Sequence, residues 1–256
     1  MEQAPASVGS SIGPLFLEST TVETRDFVQA FYNNDSTWPI TYVVLLKRRN
    51  RAAELRGLLR EHHFALRLAG NAGFGVAVGT AVTALWKGVV IAFPQGGVSL
   101  RVVKAKRIIR EVEMGRILKS LLRLYTIIER ADLDLLGVWL EDLFWDDEEG
   151  ELTLVEFGRL RYLRPYRPVK HLGPTHYLPP EEDLVGEAPK VFSLACLALD
   201  LVRDVRLGTV ERQEGIFPSY GFTDDTAALL AKMLDPFPQN RPSFAVLARH
   251  PWLRGN

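Results

Sequence analysis

Three carboxylates, Glu141, Asp142 and Glu156, could do chemistry together. Acids of this kind can ligate a divalent cation through oxygen. The plainer reading is that they cap or solvate turns, and it is preferred here. A second feature is cationic. Arg159, Arg161, Arg164, Arg167 and Lys170 crowd one irregular segment. Their charge could grip a phosphate, an acidic partner or RNA. A solvated loop that balances the acidic turn Asp146-Asp-Glu-Glu149 explains it as well, and that balance is favoured. Gly70-Asn-Ala-Gly-Phe-Gly75 has the look of a phosphate-cradling loop, with Lys104 as its cation. A lone glycine pattern is weak evidence, and a connector is the better reading. His62 and His63 have no Cys or His companions at zinc-ligand spacing, so packing or surface roles are expected. Thr175, Tyr162 and Tyr166 are residues of a type that can be phosphorylated.

The elements that must position these groups follow from periodicity. Leu15-Phe-Leu17, Asp26–Tyr32 and Ile40–Leu46 are rich in aromatic and β-branched residues, and Asn33-Asn-Asp-Ser36 separates the last two. This predicts an antiparallel three-strand meander. Ala52, Leu55, Leu58 and Leu59 recur at helical spacing and predict a helix from Arg49 to Glu61. Phe64–Leu68 and Trp86–Phe93 follow as apolar runs. The second, with Gly88–Phe93 as a buried-strand candidate, stops at the breaker Pro94-Gln-Gly-Gly97. Beyond it, Ile117, Leu118, Leu121, Leu122, Leu124, Tyr125 and Ile128 mark a long buried helix. Leu143–Trp145 and Leu152–Val155 flank the acidic turn as a hairpin. Helices are expected over Val191–Val202, Thr223–Leu234 and Ser243–Leu253, with Thr223 as N-cap of the second. Phe244 and Trp252 should anchor the last one.

Composition narrows the classes. A chain of 256 residues with 47% hydrophobic content can bury one large bilobal domain or two small domains. Lys+Arg and Asp+Glu both number 31, so the net charge of zero argues against a whole-chain preference for nucleic acid or anionic membrane. The single cysteine, Cys196, sits in an apolar run and is expected to be a buried thiol in a reducing compartment. The first residues carry no basic stretch before an apolar core, and no run of about 18 apolar residues occurs. A soluble protein of the cytoplasm is expected, with the nucleus left open.

A family resemblance enters at the C-terminal end. Met233-Leu-Asp-Pro-Phe-Pro-Gln-Asn-Arg-Pro-Ser243, with His250-Pro-Trp-Leu253, resembles the closing helices of Ser/Thr protein kinases. Thr175-His-Tyr-Leu-Pro-Pro-Glu181 is similar to the end of a kinase activation segment. Gly150-Glu-Leu-Thr-Leu-Val-Glu-Phe-Gly158 looks like the strand leading into the Asp-Phe-Gly motif. Ile91-Ala-Phe-Pro-Gln-Gly-Gly97 looks like the hinge, with Ile91 as gatekeeper. Glu54 with Leu58, Leu59 and His63 resembles the regulatory helix and its exit. The match runs from about residue 11 to 253.

The resemblance implies an α+β, bilobal protein-kinase-like fold. Residues 1–10 would be a flexible terminus, 11–93 a small β-rich N-lobe, 94–97 the hinge and 98–256 a larger helical C-lobe. It also implies which chemistry is missing. The stretch from Lys104 to Glu156 is too short for a hinge and two large helices, so Gly70–Gly75 is not the nucleotide loop. Its counterpart, between Leu17 and Asp26, has no glycine. The phosphate-binding lysine is replaced by Leu45, with Lys47 two positions on. Gly137, or Val138 in the other register, replaces the catalytic Asp. Asp142 falls near the magnesium-binding Asn, and Glu156 replaces the Asp of Asp-Phe-Gly. Phosphoryl transfer depends on these groups being placed well. Glu54 would thus keep its position without its lysine, while Lys47, Ile91 and Phe93 would be residual nucleotide contacts. Glu181 and Arg241 would keep a structural ion pair. The implied function is a catalytically inactive pseudokinase, a scaffold or allosteric regulator whose partner is a protein such as an active kinase or its substrate. The alternative is a weakly active ATP-dependent kinase using Lys47 and Glu156. No cofactor is expected, since neither ATP nor magnesium has support in the residues.

Overall fold

The computed structural model describes residues 11–12, 15–20, 27–32, 40–48, 52–82, 86–94, 97–135, 137–163, 177–181, 184–202 and 222–254. Side chains are described from Arg56 onward, apart from Leu58 and residues 76–96. The chain is mixed α+β with small antiparallel sheets. It divides into two compact units: Met1–Gly97 with Thr153–Leu160, and Val98–Leu152 with Arg161–Asn256.

The first unit holds a six-stranded antiparallel sheet. Its strands are β1 (Ser11–Ile12), β2 (Leu15–Thr20), β3 (Phe27–Tyr32), β4 (Ile40–Arg48), β5 (Val76–Val82) and β6 (Trp86–Pro94). They run in the order β1-β2-β3-β4-β6-β5. Strands β2 to β4 form the meander that their aromatic and β-branched residues predict. Strand β5 was not foreseen. Its sequence Val-Ala-Val-Gly-Thr-Ala-Val is diluted by alanine and glycine, and its register with β6 shifts between Ala77 and Gly79.

Helix α1 (Ala52–Leu68) connects β4 to β5 and is longer than its spacing predicts. Phe64–Leu68 is its last part, not a separate run. The reason lies in the face that is buried. Glu61, Phe64, Ala65 and Leu68 are buried at positions i, i+3, i+4 and i+7, whereas Leu59 is 54% exposed. An acid occupies one slot of the inner face, so an apolar count places the helix too early. After α1, Gly70 and Gly73 adopt φ of +83° and +86°, which turns the chain at little steric cost. The Gly75 N–H donates to the Leu154 carbonyl at 2.9 Å, and the Leu154 N–H to the Gly73 carbonyl at 2.9 Å. The glycine-rich segment is therefore a connector stitched to a strand.

The second unit is built on helices. They are α2 (Leu100–Lys106), α3 (Glu111–Arg130), α4 (Glu187–Val202), then Asp224–Met233 and two short helices, Phe244–Leu247 and Pro251–Arg254. The expected single helix over Ser243–Leu253 is split, because Pro251 has no N–H to continue a ladder. Short strands β7 (Val98–Ser99), β8 (Leu133–Leu135), β9 (Leu143–Asp146), β10 (Glu151–Leu154) and β11 (Leu160–Tyr162) complete the fold, the last two straddling the division between units. They form sheets ordered β10-β9-β7 and β11-β8.

Helix α3 buries Met114, Ile117, Leu118, Leu121, Leu124, Tyr125 and Ile128 along one stripe. Each fully buried leucine or isoleucine contributes about 1.5–3 kcal/mol. Helix α4 is buried on every side from Pro189 to Leu199, including Cys196, which marks it as the central helix. Phe244 stacks on Tyr125 with ring centroids 5.8 Å apart. The Trp252 indole donates to the Glu111 carbonyl at 2.9 Å. No helix among the described residues is long and apolar enough to cross a membrane.

Candidate functional site

The turn that follows β8 carries Gly137 and Val138, the two positions at which the resemblance expects a replaced catalytic Asp. Gly137 has φ of +68°, in the left-handed region that suits glycine. It is buried, as is Val138 beside it. Neither residue offers an ionisable group. Trp139 then starts a tight 3-10 turn over Leu140–Asp142. The Asp142 carboxylate is fully buried and accepts the Trp139 N–H at 3.1 Å. It therefore closes its own turn. Glu141 is also buried, and the Arg101 guanidinium lies 3.4 Å from it. The preferred capping reading of these acids describes Asp142 well. It does not describe Glu141, which faces a cation.

Glu156 belongs to the first unit and stands apart from this turn in sequence. Its carboxylate is buried and accepts the Gly158 N–H at 2.8 Å, folding back on its own segment. Phe157 between them is fully buried. The α1 carboxylate described beside this segment is Glu61, which sequence reasoning did not single out. A Cβ on Gly158 would sit 2.5 Å from Glu61 Oε1 and 2.6 Å from Glu156 Oε1. Two buried acids thus crowd one glycine, and its missing side chain is what admits them. Glu54, the expected helix glutamate, lies in α1 two turns earlier, and its side chain is outside the described residues.

The remaining first-unit positions are known through their backbone. The β4–β6 ladder aligns Thr41 with Phe93, Val43 with Ile91, Leu45 with Val89 and Lys47 with Lys87. Leu45, Lys47, Ile91 and Phe93 therefore share one face of the ladder. Lys47 is aligned with a second lysine. Within the expected hinge segment Ile91–Gly97, Pro94 ends β6, and residues 95–96 lie outside the described part.

Of the basic segment, Arg159 and Arg161 are described, and Arg161 is not a solvated cation. Arg161 is largely buried, and its Nε donates to Asp134 at 2.7 Å. Asp134 also meets Lys190 of α4 at 2.8 Å, and Lys190 reaches Glu129 of α3. Lys190 is only 1% exposed, so the charges of β8, β11, α3 and α4 meet in the interior. In the acidic turn, Asp147 pairs with Arg107. Arg159 is half-buried, while Arg164, Arg167, Lys170, Tyr166 and Thr175 lie outside the described residues. Tyr162 is 45% exposed.

Glu181 and Arg241 meet as a fork. Arg241 Nη1 and Nη2 donate to the two carboxylate oxygens of Glu181 at 2.5 and 2.8 Å. The same guanidinium donates to the Ala188 and Asp235 carbonyls at 3.0 and 2.9 Å. It also lies 4.8 Å from the Phe192 ring centroid. The side chain is fully buried and every face of it is used. Among the described residues, no cluster of three or more His, Cys, Asp or Glu side chains could hold a metal ion. No protein-family model matches the chain, and no curated protein matches it.

Proposed function

We propose that this chain is a catalytically inactive pseudokinase, a protein-kinase-like bilobal domain that serves as a binding scaffold or allosteric regulator for a protein partner. The observation that supports the proposal is the turn after β8: where the kinase resemblance would put a catalytic base, buried Gly137 and Val138 carry no ionisable side chain, and Asp142 accepts the Trp139 N–H of its own turn. A positioned general base typically contributes about 10²–10⁴-fold to rate. Three further features support the reading. The first unit is an antiparallel sheet with one helix between β4 and β5. The second is helix-rich around a central α4. The Glu181–Arg241 fork is the interaction that a kinase-like C-lobe would retain after its chemistry is lost, because it is structural.

Partner capture under physiological salt, with mass spectrometry, should yield a stoichiometric protein. Thermal denaturation with ATP and magnesium separates this reading from a weakly active kinase using Lys47 and Glu156. No shift is expected at millimolar nucleotide. A clear shift that Lys47→Ala abolishes, together with phosphate transfer to a protein substrate, would replace the scaffold reading with the enzyme one.

A further inference from the structure

Helix α1 turns one face inward, and its other face is basic and aliphatic. At 3.6 residues per turn, Arg56, Leu59, Arg60, His63, Leu66 and Arg67 fall within about a third of the helix circumference. All six are exposed, Leu59 by 54% and Leu66 by 52%. The buried stripe of Glu61, Phe64, Ala65 and Leu68 lies on the opposite side. Arg56 and Arg60 stand one turn apart, and no carboxylate among the described residues pairs with either. Glu61, the acid of α1 whose side chain is described, is turned inward. The sequence is biased in the same sense. From Lys47 to Arg67 it holds seven Lys or Arg against two Glu. The zero net charge that argues against an anionic membrane applies to the whole chain, and this concentration is local.

The occupant of this face must carry negative charge and accept aliphatic side chains. An amphipathic helix held in a protein groove offers a dense apolar row at i, i+3, i+4 and i+7. In α1 that row, Phe64, Ala65 and Leu68, is already buried. The outward face has two leucines, seven residues or about 10 Å apart, with arginines between and beside them. So sparse and convex a surface suits a flat, fluid acceptor better than a shaped one. Single-stranded nucleic acid is held by stacking on aromatic rings, which leucines do not offer. We infer that the outer face of α1 is a contact site for an anionic lipid bilayer. Arg56 and Arg60 meet the charged headgroups, and Leu59 and Leu66 enter the boundary between headgroups and acyl chains. The long arginine stems let each guanidinium stay in the polar layer while the leucines go deeper. So few groups make a weak, reversible attachment and not an anchor. The inference goes beyond the binding-module reading and does not depend on it, because every residue in it belongs to α1.

Cosedimentation of the full chain with vesicles tests it. Vesicles of equal parts phosphatidylcholine and phosphatidylserine should pellet the chain, and vesicles of phosphatidylcholine alone should not. Salt should release it. Each basic residue near an anionic surface is worth about fivefold in partitioning, so Arg56→Gln/Arg60→Gln should lose about 25-fold. Arg116→Gln/Arg123→Gln removes the same charge from exposed positions of α3 and should leave binding unchanged. Leu59→Ser/Leu66→Ser should weaken pelleting at constant charge. Circular dichroism melts check that each variant is folded. The inference is overturned by absent pelleting, by equal pelleting with phosphatidylcholine alone, by a folded α1 double variant of either kind that pellets normally, or by an equal loss in the α3 variant. Tighter binding of polyuridylate or polyglutamate than of the anionic vesicles, at matched charge, would assign the face to RNA or to an acidic protein surface and would also overturn it.

Discussion

At the scale of single residues, Arg241 shows how a fold can keep a charge in its interior. A buried guanidinium is costly to desolvate, and here it meets a carboxylate, two carbonyls and an aromatic ring. Arg241→Ala should therefore cost about 3–5 kcal/mol, because Glu181 and the carbonyls lose their donor. Urea titration would measure it. Arg241→Lys should recover little, since an ammonium cannot hold both carboxylate oxygens in a planar fork. The pairing partners could be named from the motifs that contain them. Glu61 could not, because nothing in Arg-Glu-His-His distinguishes an acid that turns inward from one left in solvent. Its burial depends on Gly158, far away in sequence, where the lack of a side chain makes room for its carboxylate.

At the scale of elements, α3 is the part of the second unit whose joints are easiest to test. Near its start, Glu111 accepts hydrogen bonds from both Thr223 groups, N–H at 3.1 Å and hydroxyl at 2.8 Å, and from the Thr226 hydroxyl. Burial alone would raise its carboxyl, but these three donors outweigh that and hold it below the usual range. A carboxyl depressed in the folded state stabilises fully above its unfolded value of about 4.3, and that stability is lost as pH falls through the folded value. Glu111→Gln should therefore flatten the acid side of the curve of Tm against pH, which calorimetry would follow. One turn on, a Cβ at Gly115 would meet the Trp252 carbonyl at 2.6 Å. That atom is backbone and cannot swing away. Gly115→Ala should cost about 1–3 kcal/mol by overpacking, measured by denaturant unfolding. The stripe of α3 and the N-cap at Thr223 are legible in the sequence, since both are local patterns. The role of Gly115 is not, because its neighbour arrives from the C-terminal end.

At the scale of the whole molecule, equal numbers of cations and anions set a pI near 7.0. Solubility should pass through a minimum near that pH and rise on either side, which light scattering would show. The buried Lys190–Asp134–Arg161 network is hidden by this neutrality. What the sequence by itself determined is what short-range physics governs: the meander, the long apolar helices, the acidic hairpin, the breaker at Pro94–Gly97 and the absence of an ionisable side chain at Gly137 and Val138. Beyond the Glu181–Arg241 pair, which the motifs name, only the tertiary structure decided where charges go. It turned Arg161 from an expected surface patch to Asp134, brought Arg107 to the acidic turn, buried Glu61 and closed Asp142 on its own backbone. Periodicity reports the apolar face of an element. The partner of a charge depends on which distant segment is packed beside it, and that is a property of the folded chain.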